Sequence, residues 1–271
     1  MNSFKKASTW DLLNIKKTPE QPVGKFEKIE LDASKFVIFQ STIVSSVSIE
    51  PTSSYLIDEE SIQFVNSNGE CWTNESLKNN YKSFIGAWGC LDHPDEPDKD
   101  HLGVILDAVL RRRWVNKDLG KFVRYTDILV AIDKKSKNGQ IAKMVLDGSI
   151  GYMSMGCTVA YSFCSRCGHY VDYSAKASKI SECSHLQYSK GKTYLDNQGK
   201  KRVVAELLGK EPDSCFFEEA SLLTQKPAFA GAALSRIYPI SSEVKSIQMN
   251  LPTYALERKA VKKYILNEQF Y

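Results

Sequence analysis

The sequence HLGVILDAVLRRRWVNKDLGKFVRYTDILVAID, residues 101–133, carries the clearest information about the fold. β-Branched and aromatic residues are dense in its two halves, 101–115 and 121–133, and the polar segment NKDLG separates them. Such residues pack well on a pleated surface, and a short polar segment can join two neighbouring strands. We therefore predict two strands that pair as a hairpin.

The segments on both sides of this hairpin continue the same pattern. KFVIFQSTIVSSVSIE, residues 35–50, and IGYMSMGCTVAYSFC, residues 150–164, are rich in β-formers, and further strands are predicted at 201–208 and 215–224. Two short helices are predicted, one near residues 74–81 and one that ends before Gly148, where a glycine can cap the last turn.

The composition limits the class of protein. The chain has 271 residues, of which 42% are apolar and 25% charged, so disorder, collagen-like repeats and a disulfide miniprotein are excluded. Thirty-six basic and 32 acidic residues leave a net charge of +4, which by itself does not indicate a nucleic-acid partner. The longest stretch with few charges, 148–165, is rich in glycine and serine, so we expect no membrane span. The N-terminus lacks the apolar core of a secretory signal, so we expect the reducing cytoplasm.

Three cysteines and a histidine form two close pairs separated by a loop: Cys164, Cys167, Cys183 and His185. Zn²⁺ binds four thiolate or imidazole ligands in a tetrahedron, and a C-x-x-C turn can bring two sulfurs onto one ion. A glycine directly after the second cysteine permits such a turn. We therefore predict a structural Zn²⁺ site, in which protein ligands fill every position and none is left for chemistry.

These cysteines fit a purely apolar role or a redox role less well. Buried free thiols are common, but three of them with a histidine in so short a stretch are not. A redox-active C-x-x-C usually opens a helix after a strand and would leave Cys183 and His185 without a role. Cys157 and His169 are reserve ligands. The ion would fold a loop that has too few apolar residues to fold alone.

Outside this cluster, two histidines can supply an acid-base group, His93 and His101. His93 lies in GCLDHPDEPD, residues 89–98, which is polar and acidic. Spacing alone favours a solvent-exposed loop histidine over a catalytic base.

Serine and glutamate candidates occur in pairs. Ser149-Ile-Gly and Ser154-Met-Gly share one pattern, and a nucleophilic serine needs a base, backbone amides for an oxyanion and room for substrate. In FFEEAS, residues 216–221, Glu218 and Glu219 point to opposite faces of a strand, so one can face inward towards a partner such as an imidazole N–H. The residues by themselves leave both choices open.

The order of these segments resembles that of the prohead (capsid maturation) proteases of tailed bacteriophages: DHP, then a helix and SMGC, then EAS before a Pro-Ala segment. The similarity covers residues 93–233, about half of the chain. SMGCTVAYSFCSRCG with the later CSH also resembles the large-phage subgroup that carries a cysteine-rich insert. The resemblance implies His93 as the general base, Ser154 as the nucleophile and Glu219 as the residue that orients the imidazole, with Ser149 and Glu218 in reserve.

The resemblance also implies an α+β fold, a mostly antiparallel β-barrel surrounded by helices as in herpesvirus assemblin. The protease domain would cover residues 31–240, with a zinc-binding loop insertion at 164–195. Residues 1–30, which have scattered lysines and little apolar periodicity, are expected to form a flexible arm. Residues 241–271 are expected to form a tail with an amphipathic helix.

The function implied is a serine endopeptidase that cleaves scaffold and capsid precursor proteins, and itself, inside the prohead in the host cytoplasm. Leu266-Asn267-Glu268 fits a self-cleavage site of this family. Assemblin-like enzymes can be dimers, so the resemblance allows a homodimer.

Two other functions stay open. A non-catalytic, zinc-stabilised virion or nucleic-acid-binding protein would use RRRW, residues 111–114, and RKAVKK, residues 258–263, as phosphate contacts, and its DNA binding would depend on salt. The acidic loop DHPDEPDKD nearby favours RRRW as the rim of a hairpin, so we do not expect a nucleic-acid partner. A zinc hydrolase would need an open coordination position beside a carboxylate base.

Overall fold

The computed structural model describes residues 7–8, 26–51, 53, 55–173, 180–209, 214–238 and 246–266. The strands within these ranges are β1 Ala7–Ser8, β2 Phe26–Asp32, β3 Phe36–Val47, β4 Glu70–Thr73, β5 Trp88–Leu91, β6 Gly103–Asn116, β7 Lys121–Asp133, β8 Tyr152–Val159, β9 Tyr161–Cys164, β10 Tyr170–Asp172, β11 Thr193–Leu195, β12 Lys201–Val203, β13 Glu206–Leu208, β14 Cys215–Leu223, β15 Ala233–Tyr238 and β16 Ser246–Pro252. The α-helices are α1 Asn74–Asn80, α2 Gln140–Leu146, α3 Ser184–Ser189, α4 Thr253–Leu256 and α5 Lys259–Tyr264, and 3₁₀ turns occupy Ala33–Lys35, Glu59–Phe64, Tyr81–Phe84 and Ser136–Gly139.

Seven strands close into a mixed β-barrel in the order β3-β15-β8-β14-β5-β6-β7, and β7 pairs again with β3. All neighbouring pairs are antiparallel except β14 and β5, which are parallel. The hairpin expected over residues 101–133 is confirmed, because β6 and β7 pair from Gly103 opposite Ile132 to Asn116 opposite Lys121. The expectation of an α+β protein built on a mostly antiparallel β-barrel is confirmed at this level, although only few helices accompany the barrel in the described ranges, where surrounding helices were expected.

The barrel is filled by large apolar side chains. Phe39, Ile105 and Phe217 are all less than 2% exposed. The ring of Phe217 on β14 stacks on Phe84 with centroids 4.0 Å apart. Burial of each such side chain stabilises the fold by about 1.5–3 kcal/mol. Because a register shift of one residue would turn these side chains outward, their burial fixes which residues of each strand face the core and which face outward.

A second sheet branches from the barrel at the end of β3. Ser46 and Val47 pair with β4, and β13, β9 and β10 follow in that order. This sheet has its own small apolar cluster around Cys164, Val171 and Leu186. The predicted strand at 150–164 is therefore two strands, β8 in the barrel and β9 in the second sheet, with a break at Ala160.

The terminal segments pair with each other where the structure describes them. β2 lies antiparallel to β16, so residues 26–30, which were expected in the flexible arm, belong to a strand. Leu31 and, on β16, Ile247, Met249 and Leu251 are buried in the main core. β16 alternates apolar and polar residues, whereas β2 does so only from Lys28 onward, so the period of two extends over few residues in each segment. The remainder of the arm apart from Ala7 and Ser8, and residues 239–245 and 267–271 of the C-terminal part, lie outside the described residues.

The helix expected in the tail is present as α5, and its residues Ala260 and Val261 are buried against the barrel. The helix expected near residues 74–81 is α1, and the helix before Gly148 is α2, with Gly148 at a φ of +75°. No helix in the described ranges is long and apolar enough to cross a membrane.

Candidate active site and metal centre

His93 lies just after β5, in a backbone conformation that side chains other than glycine seldom adopt. The φ angles of Asp92 and His93 are +49° and +50°, both in the left-handed region. Three hydrogen bonds from backbone N–H groups join this turn to the end of β14 and the residue after it: Asp92 N–H to the Leu222 carbonyl at 2.9 Å, Thr224 N–H to the Asp92 carboxylate at 2.9 Å, and His93 N–H to the Ser221 hydroxyl at 3.1 Å. Strained backbone kept in place by its surroundings is typical of functional sites.

Glu219 meets the histidine from β14. His93 Nδ1 is 2.5 Å from Glu219 Oε1, although the two residues are 126 positions apart in the chain. The Glu219 side chain is 5% exposed, whereas the His93 side chain is 40% exposed. One side of the imidazole is therefore bound to a buried carboxylate while the rest of the ring reaches solvent.

The neighbouring carboxylate, Glu218, points the other way. β14 has a register irregularity between Phe217 and Glu219, opposite Cys157 and Gly156 of β8, so Glu218 is an extra residue in the strand. Its side chain is exposed and accepts a hydrogen bond from Thr158 Oγ1 at 2.6 Å. Of the two glutamates between which the sequence left a choice, the structure brings Glu219 to His93 and leaves Glu218 outside.

The hydrogen bond from Glu219 raises the pKa of His93 above its ordinary value, because the carboxylate stabilises the imidazolium. Partial burial of the ring acts in the opposite direction, and the nearby charges of Glu219 and Asp92 add to the rise. The His101 ring is different: burial, with Lys263 nearby, lowers its pKa to about 4, and it stacks on Trp88. His101 is thus a packing residue between the barrel and the C-terminal helix.

Ser154 lies on β8 directly opposite Ser221 of β14. Ser154 and His93 line the same pocket, which has a volume of about 510 Å³ and also includes Asn68 and Lys226 in its wall. Ser149, the alternative nucleophile, is elsewhere: it is exposed after α2, and its hydroxyl and N–H both bond to Asp147. The structure therefore brings together Ser154, His93 and Glu219 and separates Ser149 from them.

Gly156, the glycine of the Ser-Met-Gly pattern, makes room for the glutamate. It pairs with Glu219 across β8 and β14. A Cβ atom on residue 156 would overlap Glu219 Oε1 and would lie 3.0 Å from both Cγ and Cδ of that side chain. The carboxylate thus occupies the space that any other residue would need for its own side chain.

We therefore expect Gly156→Ala to displace the Glu219 carboxylate from His93 while the barrel stays folded. Weakening the His93–Glu219 hydrogen bond should lower the pKa of His93 towards its ordinary value of about 6.5. An NMR titration of the imidazole protons measures this pKa directly. The matched control is Gly151→Ala, since a Cβ at residue 151 would meet nothing within 4 Å. An unchanged pKa in Gly156→Ala, or an equal fall in Gly151→Ala, contradicts this role of the glycine.

The predicted metal ligands also come together. The ligand atoms of Cys164, Cys167, Cys183 and His185 all lie within 4.8 Å of one another. Cys167 Sγ is 3.6 Å from Cys183 Sγ, and Cys183 Sγ is 3.9 Å from His185 Nδ1. Two sulfurs bound to one tetrahedral ion at about 2.3 Å have a similar separation. The four side chains could therefore hold one metal ion.

Two structural elements supply these ligands. Cys164 ends β9 and Cys167 lies in the turn after it, where Gly168 has a φ of +71° and its N–H donates to the Cys164 carbonyl at 2.9 Å. Cys183 and His185 lie at the start of α3. Because four protein ligands complete a tetrahedron, this set favours a structural ion over a hydrolytic one, which needs an open position.

The reserve ligands lie outside this cluster. Cys157 is on β8, and its thiol has Cys215 of β14 as its neighbour. His169 donates from Nε2 to the Ser181 carbonyl at 2.8 Å. Neither side chain belongs to the group of four ligands.

The arginines that could have contacted phosphates have protein partners. Arg111 Nε is 2.6 Å from Asp127 Oδ2, and the guanidinium of Arg112 lies over the Phe122 ring at 4.4 Å. Arg258 is half-buried and donates to the carbonyls of Ser83, Ile85 and Phe217. The exposed arginines of β6, Arg111–Arg113, lie in the half of the hairpin that leads to the turn between β6 and β7.

Sequence reasoning missed one residue of the site, Ser221. Its hydroxyl donates to Glu219 Oε2 at 2.5 Å and accepts the N–H of His93. The available clue was spacing, because residues i and i+2 of a strand share a face and Glu219 is two positions before Ser221.

Comparisons with protein-family models, with curated proteins and with solved structures gave no match for this chain.

Proposed function

We propose that the protein is a serine endopeptidase in which Ser154 is the nucleophile, His93 the general base and Glu219 the residue that orients the imidazole. The observation that carries the proposal is the 2.5 Å hydrogen bond between His93 Nδ1 and buried Glu219, with the same histidine in one pocket with Ser154. A carboxylate, an imidazole and a hydroxyl in this order are the components of a catalytic triad for acyl transfer, in which the carboxylate stabilises the imidazolium.

In this mechanism the Nδ1–H group of His93 donates a hydrogen bond to the Glu219 carboxylate, which fixes the tautomer in which Nε2 is the basic nitrogen. Nε2 takes the hydroxyl proton of Ser154 while the Ser154 Oγ forms a bond to the scissile carbonyl carbon. When the tetrahedral intermediate collapses, the C–N bond breaks, and the leaving amine receives that proton from Nε2. Water then attacks the carbonyl carbon of the acyl-enzyme as Nε2 takes its proton. The ester bond breaks, and Nε2 returns the proton to the Ser154 Oγ. The buried carboxylate stabilises the imidazolium in both halves of the reaction.

The resemblance to phage prohead proteases extends this proposal to substrates and location. The closed barrel with a single parallel pair of strands and the Cys₃His insert after the candidate nucleophile strand support an assemblin-like fold. We infer that the substrates are scaffold and capsid precursor proteins and the protein itself. We place the reaction inside the prohead in the host cytoplasm. A homodimer is compatible with that fold family and belongs to the same proposal.

We also propose that the metal bound by the Cys₃His set is Zn²⁺ with a structural role. Three thiols and one imidazole form a soft donor set, which Zn²⁺ prefers and Mg²⁺ or Ca²⁺ does not. One of the four, Cys164, is fully buried, and burial raises the pKa of its thiol to about 12. A bound cation would reverse this, because it stabilises the thiolate.

We expect the reactivity of Ser154 to increase with pH around the raised pKa of His93. The general base must be neutral, and the Glu219 hydrogen bond favours the protonated ring, so the protein should be inactive well below this pKa and fully active above it. The half-maximal rate should therefore lie above about pH 6.5. The measurement is the rate at which a fluorophosphonate probe labels the protein across neutral pH, with the labelled residue mapped by mass spectrometry.

The same titration can be followed in Ser154→Ala by NMR, where no reaction occurs. Agreement between the pH of half-maximal labelling and the pKa of His93 supports the proposed base. Labelling of a different serine, or a rate that does not change across this pH range, would refute the assignment.

A further inference from the structure

The hydroxyl of Ser221 lies between two parts of the candidate active site. It is fully buried, with 0% exposure, on β14. Its proton is donated to Glu219 Oε2 at 2.5 Å, and its oxygen accepts the backbone N–H of His93 at 3.1 Å. One hydroxyl therefore binds both the carboxylate and the main chain of the histidine that this carboxylate contacts.

We propose that Ser221 is a positioning residue that sets the orientation of the Glu219 carboxylate and the location of the His93 ring. This inference deepens the proposed function and rests on it, since the pair that Ser221 holds is the base and its orienting residue. Ser221 acts through Glu219 and His93 and is not assigned a role in bond making.

The Ser221 hydroxyl restricts the rotation of the Glu219 carboxylate. The last torsion of a glutamate side chain is broad, so a carboxylate with one partner can rotate about it at little cost. Glu219 has a different partner on each oxygen, His93 on Oε1 and Ser221 on Oε2. The second hydrogen bond therefore selects the rotation in which Oε1 faces Nδ1 of His93.

The same hydroxyl also holds the backbone of the histidine. His93 has a φ of +50°, which is unfavourable for a residue that carries a side chain. The hydrogen bond from its N–H to Ser221 is one of the contacts that keep this turn against β14. Without an acceptor at residue 221, the N–H would be left without this partner at the point where the chain must turn.

The position of Ser221 on β14 links the base to the nucleophile strand. Glu219 and Ser221 share one face of β14, and Ser221 is the residue directly opposite Ser154 on β8. Because directly opposite residues of two antiparallel strands are neighbours on one face, Ser154 lies on the same face of the sheet as Ser221 and Glu219.

The experiment compares Ser221→Ala with Ser221→Thr and with Ser41→Ala, each combined with Ser154→Ala so that no self-cleavage interferes. Ser41 is a matched control, because it is also fully buried in the barrel and its hydroxyl donates to the Ala233 carbonyl at 2.8 Å, away from His93. The readout is the downfield NMR signal of the His93 Nδ1 proton, which a short hydrogen bond to a carboxylate produces. Circular dichroism confirms folding, and Ser221→Cys replaces Ser221→Ala if the alanine variant does not fold.

We expect the signal to disappear or move upfield in Ser221→Ala and to persist in Ser221→Thr, which keeps a hydroxyl, and in Ser41→Ala. With Ser154 restored, Ser221→Ala should lower kcat by about 100-fold at unchanged KM, the cost of misplacing a catalytic group by about 1 Å. An unchanged signal in Ser221→Ala, or an equal loss in Ser41→Ala, would overturn the positioning role. If wild type proves inactive while the signal still depends on Ser221, the proposed peptidase function fails and the positioning of the pair stands.

Discussion

Replacement of Ser154 by alanine is expected to lower the rate of peptide-bond cleavage by about 10⁴- to 10⁶-fold, which is the size of the loss when a triad nucleophile is removed. Without the hydroxyl no acyl-enzyme can form. The catalysis that remains comes only from substrate binding and from backbone dipoles that stabilise the oxyanion. His93→Ala is expected to cause a loss of the same order, because nucleophile and base act as one unit. The fold should be retained in both variants, since Ser154 is only half-buried and the His93 side chain is 40% exposed.

The measurement is intact mass after incubation of the purified protein, alone and with scaffold protein, together with circular dichroism. Self-cleavage after Glu268 would remove Gln269 to Tyr271 and can be read directly from the mass. Ser149→Ala is the matched control for the nucleophile, because Ser149 bonds to Asp147 on the surface and is expected to be dispensable. Equal cleavage by Ser154→Ala and wild type, or loss of cleavage in Ser149→Ala alone, would be incompatible with the proposed site.

Removal of the metal is expected to have the largest effect on stability. At a Cys₃His site, the free energy of metal binding adds to the free energy of folding, because the unfolded chain does not hold the ligands together. Next to the metal ligands, the second sheet has a small apolar cluster, in which Cys164, Val171, Leu186 and Val204 are the buried members. If the loss of the site costs about 3–5 kcal/mol, the melting temperature should fall by roughly 10 °C for a chain of this size.

This prediction is tested by metal analysis and thermal melting of Cys167→Ser and His185→Ala. His169→Ala is the matched control, since His169 lies in the same loop and bonds to the Ser181 carbonyl instead of joining the four ligands. We expect about one Zn²⁺ per chain in wild type and in His169→Ala, and none in the other two variants. Retention of zinc by Cys167→Ser, or an unchanged melting temperature after its loss, would show that the cluster does not stabilise the fold through a metal.

The metal cluster could be predicted from the sequence because its ligands are close in the chain. Cys164 and Cys167 share one turn, and Cys183 and His185 share the start of one helix. Only the distance between the two pairs depends on the surrounding sheet, and β9 and β10 bring them together. Local spacing was therefore sufficient to name all four ligands.

The catalytic candidates needed more than spacing. Sequence patterns and a resemblance named Ser154, His93 and Glu219 but left Ser149 and Glu218 as alternatives. The extra residue in β14 decides which glutamate faces the histidine, and the end of α2 decides which serine is on the surface. The extra residue has no clear pattern in the sequence, because it depends on how β14 pairs with β8. The end of α2 is a local feature, but only the tertiary structure shows that Ser154 and not Ser149 lines the pocket with His93.

By itself, the sequence determined the elements whose causes are local: the β6–β7 hairpin, the helices α1 and α2 and the ligand pairs of the metal centre. Alternating side chains, capping residues and tight turns act over a few residues, so a single stretch shows them. Only the tertiary structure decided that β7 returns to β3, that β5 lies parallel to β14, and that Ser221 joins His93 to Glu219. These contacts join residues far apart in the chain, 126 positions for His93 and Glu219, and a strand's own sequence does not specify the neighbour with which its backbone will form hydrogen bonds.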